Sequence, residues 1–291
     1  MKDKIKNFTY TSIAIILVVL FGYISLKESY SKENPVISKD LIVEFIDVGQ
    51  GDCIFISSNN HHMLIDGGNN ADGKKITKYL EEKGVKELDY VVSTHPHEDH
   101  IGGLDNILKA IPTKKVIMPD LVTTTKTFEE VIAVIEEQEI SLVIPEIGTK
   151  YYLGDSIIEV IYLDDNEEDF NESSIVLKLT YKEVSFLFTG DSTTESEKYY
   201  LDKDIDVDVL KVAHHGSKYS TSNELLDKVT PEFAIISLAT DNDYYYPHIA
   251  TINRLKDHGA KIYQTNELGT IIVESDGINI NIDNKKTDTN G

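Results

Sequence analysis

The stretch His95-Pro96-His97-Glu98-Asp99-His100 packs three imidazoles and the Asp99 carboxylate, four side chains of metal-ligating type, into one short turn. Three of the chain's nine histidines fall within it. Just upstream, Leu88-Asp89-Tyr90-Val91-Val92-Ser93-Thr94 is rich in β-formers and reads as a buried strand. Gly102-Gly103 closes the cluster ahead of a helix-like segment. A strand end is a rigid base from which a loop wraps its ligands around an ion, and imidazole with carboxylate suits zinc, manganese or iron. The plainer alternative is a polar turn that happens to be rich in histidine.

Outward from this turn, short apolar or alternating runs recur between turn residues. They include Leu41–Asp47, Cys53–Ser57, His62–Asp66, Ile157–Tyr162, Ile175–Tyr181, Val184–Thr189, Val207–Ala213, Phe233–Ser237 and Thr270–Glu274, and all read as strands. Helical spacing marks Lys74–Lys83, Phe128–Gln138, Glu195–Leu201, Asn223–Val229 and Ala250–His258. Strands and helices mix without strict βαβ alternation, so an α+β or α/β sandwich is expected, with its topology left open.

His95, His97, Asp99 and His100 resemble the H-x-H-x-D-H signature of the metallo-β-lactamase-fold hydrolases. Phe45-Ile46-Asp47-Val48-Gly49-Gln50-Gly51-Asp52, Leu64-Ile65-Asp66-Gly67-Gly68, Phe188-Thr189-Gly190-Asp191 and His214-His215-Gly216-Ser217 are similar, in that order, to motifs of one branch, the hydrolase domain of the ComEC competence proteins. The likeness runs from about Leu41 to Ile282 and implies an αββα sandwich: two central mixed sheets, helices outside, and the metal site at one edge. Nothing in the chain resembles the many membrane spans of full-length ComEC proteins.

The same resemblance implies a two-metal site. His95 and His97 would hold one ion, Asp99, His100 and His214 the other, and Asp191 would bridge them. Asp191 ends an apolar run after Gly190, where glycine permits a sharp turn. His215 points away from His214 on an extended chain, so it is expected either to support a ligand, to transfer a proton, or to lie at the surface. The superfamily's usual third histidine for the first ion is absent, since no histidine lies between His100 and His214. Asn171-Glu172-Ser173-Ser174 falls in its place, which would leave the first position harder and more open, with Asn171 near the ion or a substrate oxygen. Asp66 is expected to hydrogen-bond ligand imidazoles. Asp47 and Asp52 flank Gly49-Gln50-Gly51, either an anion-contacting loop or an ordinary hairpin turn. Gln50 and Ser217 join them as residues expected to support the site or touch substrate. His248, in Tyr244-Tyr245-Tyr246-Pro247-His248, is expected to face the site as a proton donor, against the alternative of a surface loop histidine.

Composition bounds the rest. A chain of 291 residues with one cysteine has no internal disulfide framework, and Cys53 reads as a small core residue. Lys2, Lys4 and Lys6 precede an apolar run from Phe8 to Leu26, long enough to span a bilayer, with no small-x-small cleavage site after it. The expected organisation is therefore a signal anchor at 1–26, a linker at 27–40, the hydrolase domain at 41–283 and a polar tail at 284–291. By the positive-inside rule the chain would sit in the cell membrane as a single-pass protein, its catalytic domain extracellular. Fifty acidic against 28 basic residues give a net charge of −22. That charge argues against a broad electrostatic grip on nucleic acid and favours small or terminal phosphate groups.

Two divalent ions, zinc or manganese, would lower the pKa of a bridging water from 15.7 to about 7 and so supply a hydroxide nucleophile. The expected reaction is phosphodiester hydrolysis, on a nucleic acid end or a cell-envelope phosphodiester. Lactone, thioester or β-lactam hydrolysis uses the same nucleophile, and a non-catalytic metal-binding envelope module is the rival from another class. No protein partner is implied.

Overall fold

Most central strands bury side chains on both faces, which is why they read as near-continuous apolar runs and not as clean alternations. The computed structural model describes residues 40–164 and 168–285. One eight-stranded sheet runs β15-β14-β1-β2-β3-β4-β5-β6, built from β1 (Leu41–Phe45), β2 (Ile54–Ser58), β3 (His61–Ile65), β4 (Leu88–Val92), β5 (Thr113–Ile117), β6 (Ser141–Val143), β14 (Thr270–Ser275) and β15 (Ile280–Lys285). The other has seven strands in the order β13-β12-β11-β10-β9-β8-β7, from β7 (Lys150–Leu153), β8 (Ser156–Tyr162), β9 (Val176–Tyr181), β10 (Val184–Phe188), β11 (Val209–Lys211), β12 (Phe233–Ile236) and β13 (Lys261–Gln264). Both sheets are mixed, with parallel pairing along β3-β4-β5-β6 and along β10-β11-β12-β13.

Between the sheets, Leu41, Val43 and Phe45 of β1 pack with Leu177, Leu179, Phe186 and Phe188, and the Phe45 and Phe188 rings lie 6.3 Å apart. The outer face of the first sheet is covered by α1 (Gly73–Glu82), α3 (Leu104–Ala110) and α4 (Lys126–Glu137) through Ile76, Leu80, Ile107, Val131 and Ile135. Leu225 and Leu226 of α6 (Asn223–Val229) and Leu255 of α7 (Ile249–Asp257) cover the second. This is the αββα sandwich, with Cys53 in its core.

Some elements differ from expectation. Strands β6 and β7 are short edge pieces with too few apolar residues to register as periodic. The helix expected over Glu195–Leu201 shrinks to α5 (Thr194–Glu197), because a Thr193–Ser196 capping box starts it and Glu197 then turns to accept from the amides of Thr221 and Ser222. Strand β15 extends to Lys285, two residues past Asp283, through pairing with β14. Among the described residues no helix is long and apolar enough to cross a membrane. The anchor expected at 1–26 lies outside them, as does all but Asp40 of the 27–40 linker.

Candidate metal centre

Four strand ends converge at one edge of the sandwich. The parallel β3–β4 pair presents Asp66 and, three residues past the end of β4, the turn that begins at His95; the parallel β10–β11 pair presents Asp191 and His214-His215. The signature turn leads into α2 (Glu98–Ile101), which carries Asp99 and His100. Gly51 locks the β1–β2 connection against this helix, since its φ is +144° and a Cβ there would collide with the Asp99 carbonyl oxygen. Asp52 N–H donates to that same carbonyl at 3.1 Å.

His100 is fully buried. Its Nδ1 lies 2.8 Å from Asp66 Oδ2, leaving Nε2 3.3 Å from Asp191 Oδ2 and 4.0 Å from Asp99 Oδ2. Asp66 is fixed in turn by the Thr94 amide (2.8 Å) and hydroxyl (2.7 Å), so it sets the orientation of the His100 imidazole. His215 is 1% exposed; its Nδ1 donates to the Ser237 carbonyl at 2.8 Å, which turns Nε2 toward Asp99 Oδ2 (3.4 Å) and Asp191 Oδ2 (3.6 Å). Ligand-type atoms of Asp99, His100, Asp191 and His215 all lie within 4.8 Å of one another.

His215 thus occupies the place that the sequence reading gave to His214. The expectation assumed an extended chain, but Ala213–Gly216 forms a 3₁₀ turn in which both histidines adopt left-handed φ, +50° and +53°. Non-glycine residues held there cost about 1–3 kcal/mol each and persist where the surroundings impose them. The turn swings His215 inward and leaves His214 at the pocket wall, its Nε2 3.8 Å from Asp191 Oδ2 and 3.2 Å from the Tyr246 hydroxyl.

His95 and His97 stand beside the cluster, with His95 Nε2 3.0 Å from His97 Nδ1 and the His95 and His100 rings 4.1 Å apart. Ser174 braces this side: its hydroxyl accepts from the Asp191 amide at 3.0 Å and lies 3.4 Å from His95 Nδ1. Asn171 lines the pocket with a buried Oδ1 that has no hydrogen-bond partner. The pocket measures about 330 Å³ and is bounded by His97, Glu98, Asp99, Asn171, Asp191, His214 and His215, with Gln50, Tyr244 and Tyr246 opposite.

Gln50 reaches the pocket; its Oε1 lies 3.5 Å from the Ala239 amide and its Nε2 has no partner. Asp47 does not line it: its Oδ1 accepts from the Gly49 amide at 3.2 Å, so the connection is a self-closed turn and that amide is not available to an anion. Asp52 lies behind the cluster, paired with the buried Lys211. Ser217 is buried and stabilises the loop, accepting the Tyr219 amide and, through its carbonyl, the Thr251 hydroxyl. His248 is not among the pocket residues. It precedes α7, and its Nδ1 accepts from the Lys218 amide, so the plainer surface-loop alternative describes its position. Lys211, Ser174, Thr94, Tyr244 and Tyr246 carry no expectation of their own in the sequence; Tyr244, Tyr246 and Ser174 had a signal only as members of the segments Tyr244–His248 and Asn171–Ser174.

Electrostatically the site is a dense knot. Although burial opposes their charge, Asp191, Asp66 and Asp99 raise His100 well above the usual histidine range, and Asp191, Asp99 and Asp52 raise His215. Against the effect of burial, the neighbouring imidazoles hold Asp191 well below the usual carboxylate range and also depress Asp99. Burial and the neighbouring His100 push His95 well down. Asp52 Oδ1, His100 Nε2, Asp191 Oδ1 and His215 Nε2 are shut off from solvent without a hydrogen bond. Buried ligand atoms left unmatched in this way, together with supporting bonds that fix each imidazole's other nitrogen, fit a divalent cation.

The model of the metallo-beta-lactamase superfamily matches residues 46–240. The chain is 30% identical over 258 residues to "ComE operon protein 3" of Bacillus subtilis, covering 81% of this chain and 33% of that protein. It is 28% identical over 264 residues to "Competence protein ComA" of Neisseria gonorrhoeae, covering 88% of this chain and 34% of the relative. The chain thus spans about a third of the length of these curated relatives. Among solved structures, CmlA, a diiron beta-hydroxylase from Streptomyces venezuelae, shares the fold with a TM-score of 0.57 at 15% identity, over 81% of this chain and 54% of that one.

Proposed function

Because the chain belongs to the metallo-β-lactamase superfamily, as a metal-dependent hydrolase related to the competence proteins, we propose that it hydrolyses phosphodiesters with two divalent ions, zinc or manganese. One observation carries the reading: Asp99, His100, Asp191 and His215 bring their ligand atoms within 4.8 Å at the floor of an open pocket. The motifs shared with the competence relatives, together with the open first metal position, support a phosphodiester over a lactone, thioester or β-lactam. The net charge of −22 favours a short or terminal group over a long polyanion.

When bound, divalent ions activate water and polarise a phosphoryl oxygen. In this reading Asp99, His100 and His215 would hold one ion, His95 and His97 with Asn171 nearby would hold the other more loosely, and Asp191 would serve both. Gln50 donates through its unmatched Nε2 to a non-bridging phosphoryl oxygen. Burial lowers the pKa of His214 and raises that of the Tyr246 phenol, so at neutral pH the proton of this hydrogen-bonded pair resides on the phenol, a donor suited to an alkoxide leaving group. The N-terminal apolar run supports placing the domain outside the cell on a membrane anchor.

The test is to assay the full chain with bis-p-nitrophenyl phosphate, a lactone and a chromogenic β-lactam under zinc and under manganese. Phosphodiester turnover should exceed the other two; preferential lactone or β-lactam hydrolysis would replace this reading.

A further inference from the structure

The wall of the pocket opposite the metal cluster is aromatic. Tyr246 presents its hydroxyl to His214, and its ring centroid lies 5.5 Å from that of His214 and 6.3 Å from that of His215. Its backbone is clamped by Asn242, which accepts the Tyr246 amide at 2.8 Å and donates to the Tyr246 carbonyl at 2.9 Å. Tyr244 stacks on Tyr246 with centroids 5.3 Å apart and planes 15° from parallel. One face of Tyr246 is therefore covered, whereas Tyr244 is 60% exposed and lines the pocket.

We propose that the outer face of Tyr244 is a stacking subsite for a nucleobase, so that the phosphodiester delivered to the neighbouring cluster is a nucleotidyl one; this rests on the phosphodiesterase reading above. Three observations carry it. A single open aromatic face on a fixed support matches a flat π-ligand, whereas a quaternary ammonium is recognised by a cage of several faces. Besides the Asp191, His214 and His215 atoms of the cluster and its edge, the same pocket holds an unmatched amide donor, Gln50 Nε2, and an unmatched amide acceptor, Asn171 Oδ1. Phosphoryl oxygens satisfy only the donor, whereas a nucleotide also brings hydroxyl or ring N–H groups for the acceptor. Finally, stacking needs no positive surface, so it supplies affinity that a chain of net charge −22 cannot obtain by gripping a backbone.

The test uses the full chain reconstituted with manganese. Calorimetry measures binding of thymidine 5′-monophosphate and of methyl phosphate; turnover is followed in parallel on thymidine 5′-(p-nitrophenyl phosphate) and methyl p-nitrophenyl phosphate. Wild type should prefer the nucleotide in both. Tyr244→Ala should shrink that preference about 5- to 150-fold, the range that loss of one stacked base implies, and Tyr244→Trp should keep it. A wild-type protein with no preference for the nucleotide, or a preference that Tyr244→Ala leaves intact, overturns the subsite. Nucleotide preference in binding that depends on Tyr244, without turnover of either ester, supports the subsite and overturns the phosphodiesterase reading instead.

Discussion

Lys211 and Asp52 form an ion pair buried directly behind the candidate metal cluster, with Lys211 Nζ also 3.2 Å from the Gly190 carbonyl oxygen and 3.9 Å from Asp191 Oδ1. A lysine this enclosed is rare unless paired, and its charge offsets one of the four carboxylates gathered here, Asp52, Asp66, Asp99 and Asp191. Breaking a buried pair by removing one partner typically costs about 3–5 kcal/mol, because the remaining charge is stranded. Lys211→Met is therefore expected to lower the unfolding free energy of the metal-free protein by about that amount in urea titrations, and Lys211→Met with Asp52→Asn to recover much of it. A Lys211→Met protein as stable as wild type would refute the pairing as a structural element.

Protonation of the cluster sets a second expectation. The folded pKa values of His100 and His215 are raised. Their stabilising contribution to the metal-free protein is fully present below the unfolded histidine value of about 6.5 and is lost as pH rises through the folded values. Asp191 and Asp99 run the other way: their pKa values are depressed, so their contribution is present above the unfolded carboxylate value and is lost as pH falls through the folded ones. A cation must displace the protons of His100 and His215, so its affinity should rise as pH climbs from about 6.5 through the raised folded values, and its binding below them should release about two protons. Adding zinc or manganese to chelator-stripped protein in weak buffer, with a pH electrode, measures this directly. Binding without acidification would mean the two imidazoles are already neutral.

The fold was legible from the sequence because its decisive residues sit where strands stop, and strand ends are marked by Gly, Asp and His breaking an apolar run, as at Asp66, His95 and Asp191. The ligand type was equally legible at the H-x-H-x-D-H turn. What could not be read was the hand of one turn: the choice between His214 and His215 depends on two left-handed φ angles that tertiary packing imposes. Lys211 was invisible for a related reason. In Val207-Asp208-Val209-Leu210-Lys211 it reads as a charged residue ending an apolar strand, and only the second sheet's placement beside Asp52 makes it an interior residue. Tyr246 reaches the site from a loop whose course no periodicity encodes.

The lysine-flanked run from Phe8 to Leu26 leads us to expect the full chain in the membrane fraction with its domain outside. Protease added to intact protoplasts should remove the domain while a cytoplasmic marker survives. Full-length protein protected until lysis would place the domain on the other side.

The most demanding expectation separates the two adjacent histidines. Asp191 faces His100, His215 and His214 through one carboxylate oxygen, at 3.3, 3.6 and 3.8 Å. Asp191→Ala should thus reduce occupancy at both metal positions and nearly abolish hydrolysis. His215, whose Nδ1 is committed to the Ser237 carbonyl and whose Nε2 is aimed inward, is expected to act as a ligand; His215→Ala should lose an ion by elemental analysis. His214 and Tyr246 are expected to manage a proton instead. His214→Ala and Tyr246→Phe should keep their metals and slow turnover on the order of 10²–10⁴-fold, the range for a lost general acid. The slowing should be smaller for an ester with a good leaving group such as p-nitrophenolate, which needs little protonation, than for an alkyl ester. If His214→Ala loses an ion while His215→Ala keeps its full complement, the assignment made from the left-handed turn is wrong and the two histidines exchange roles.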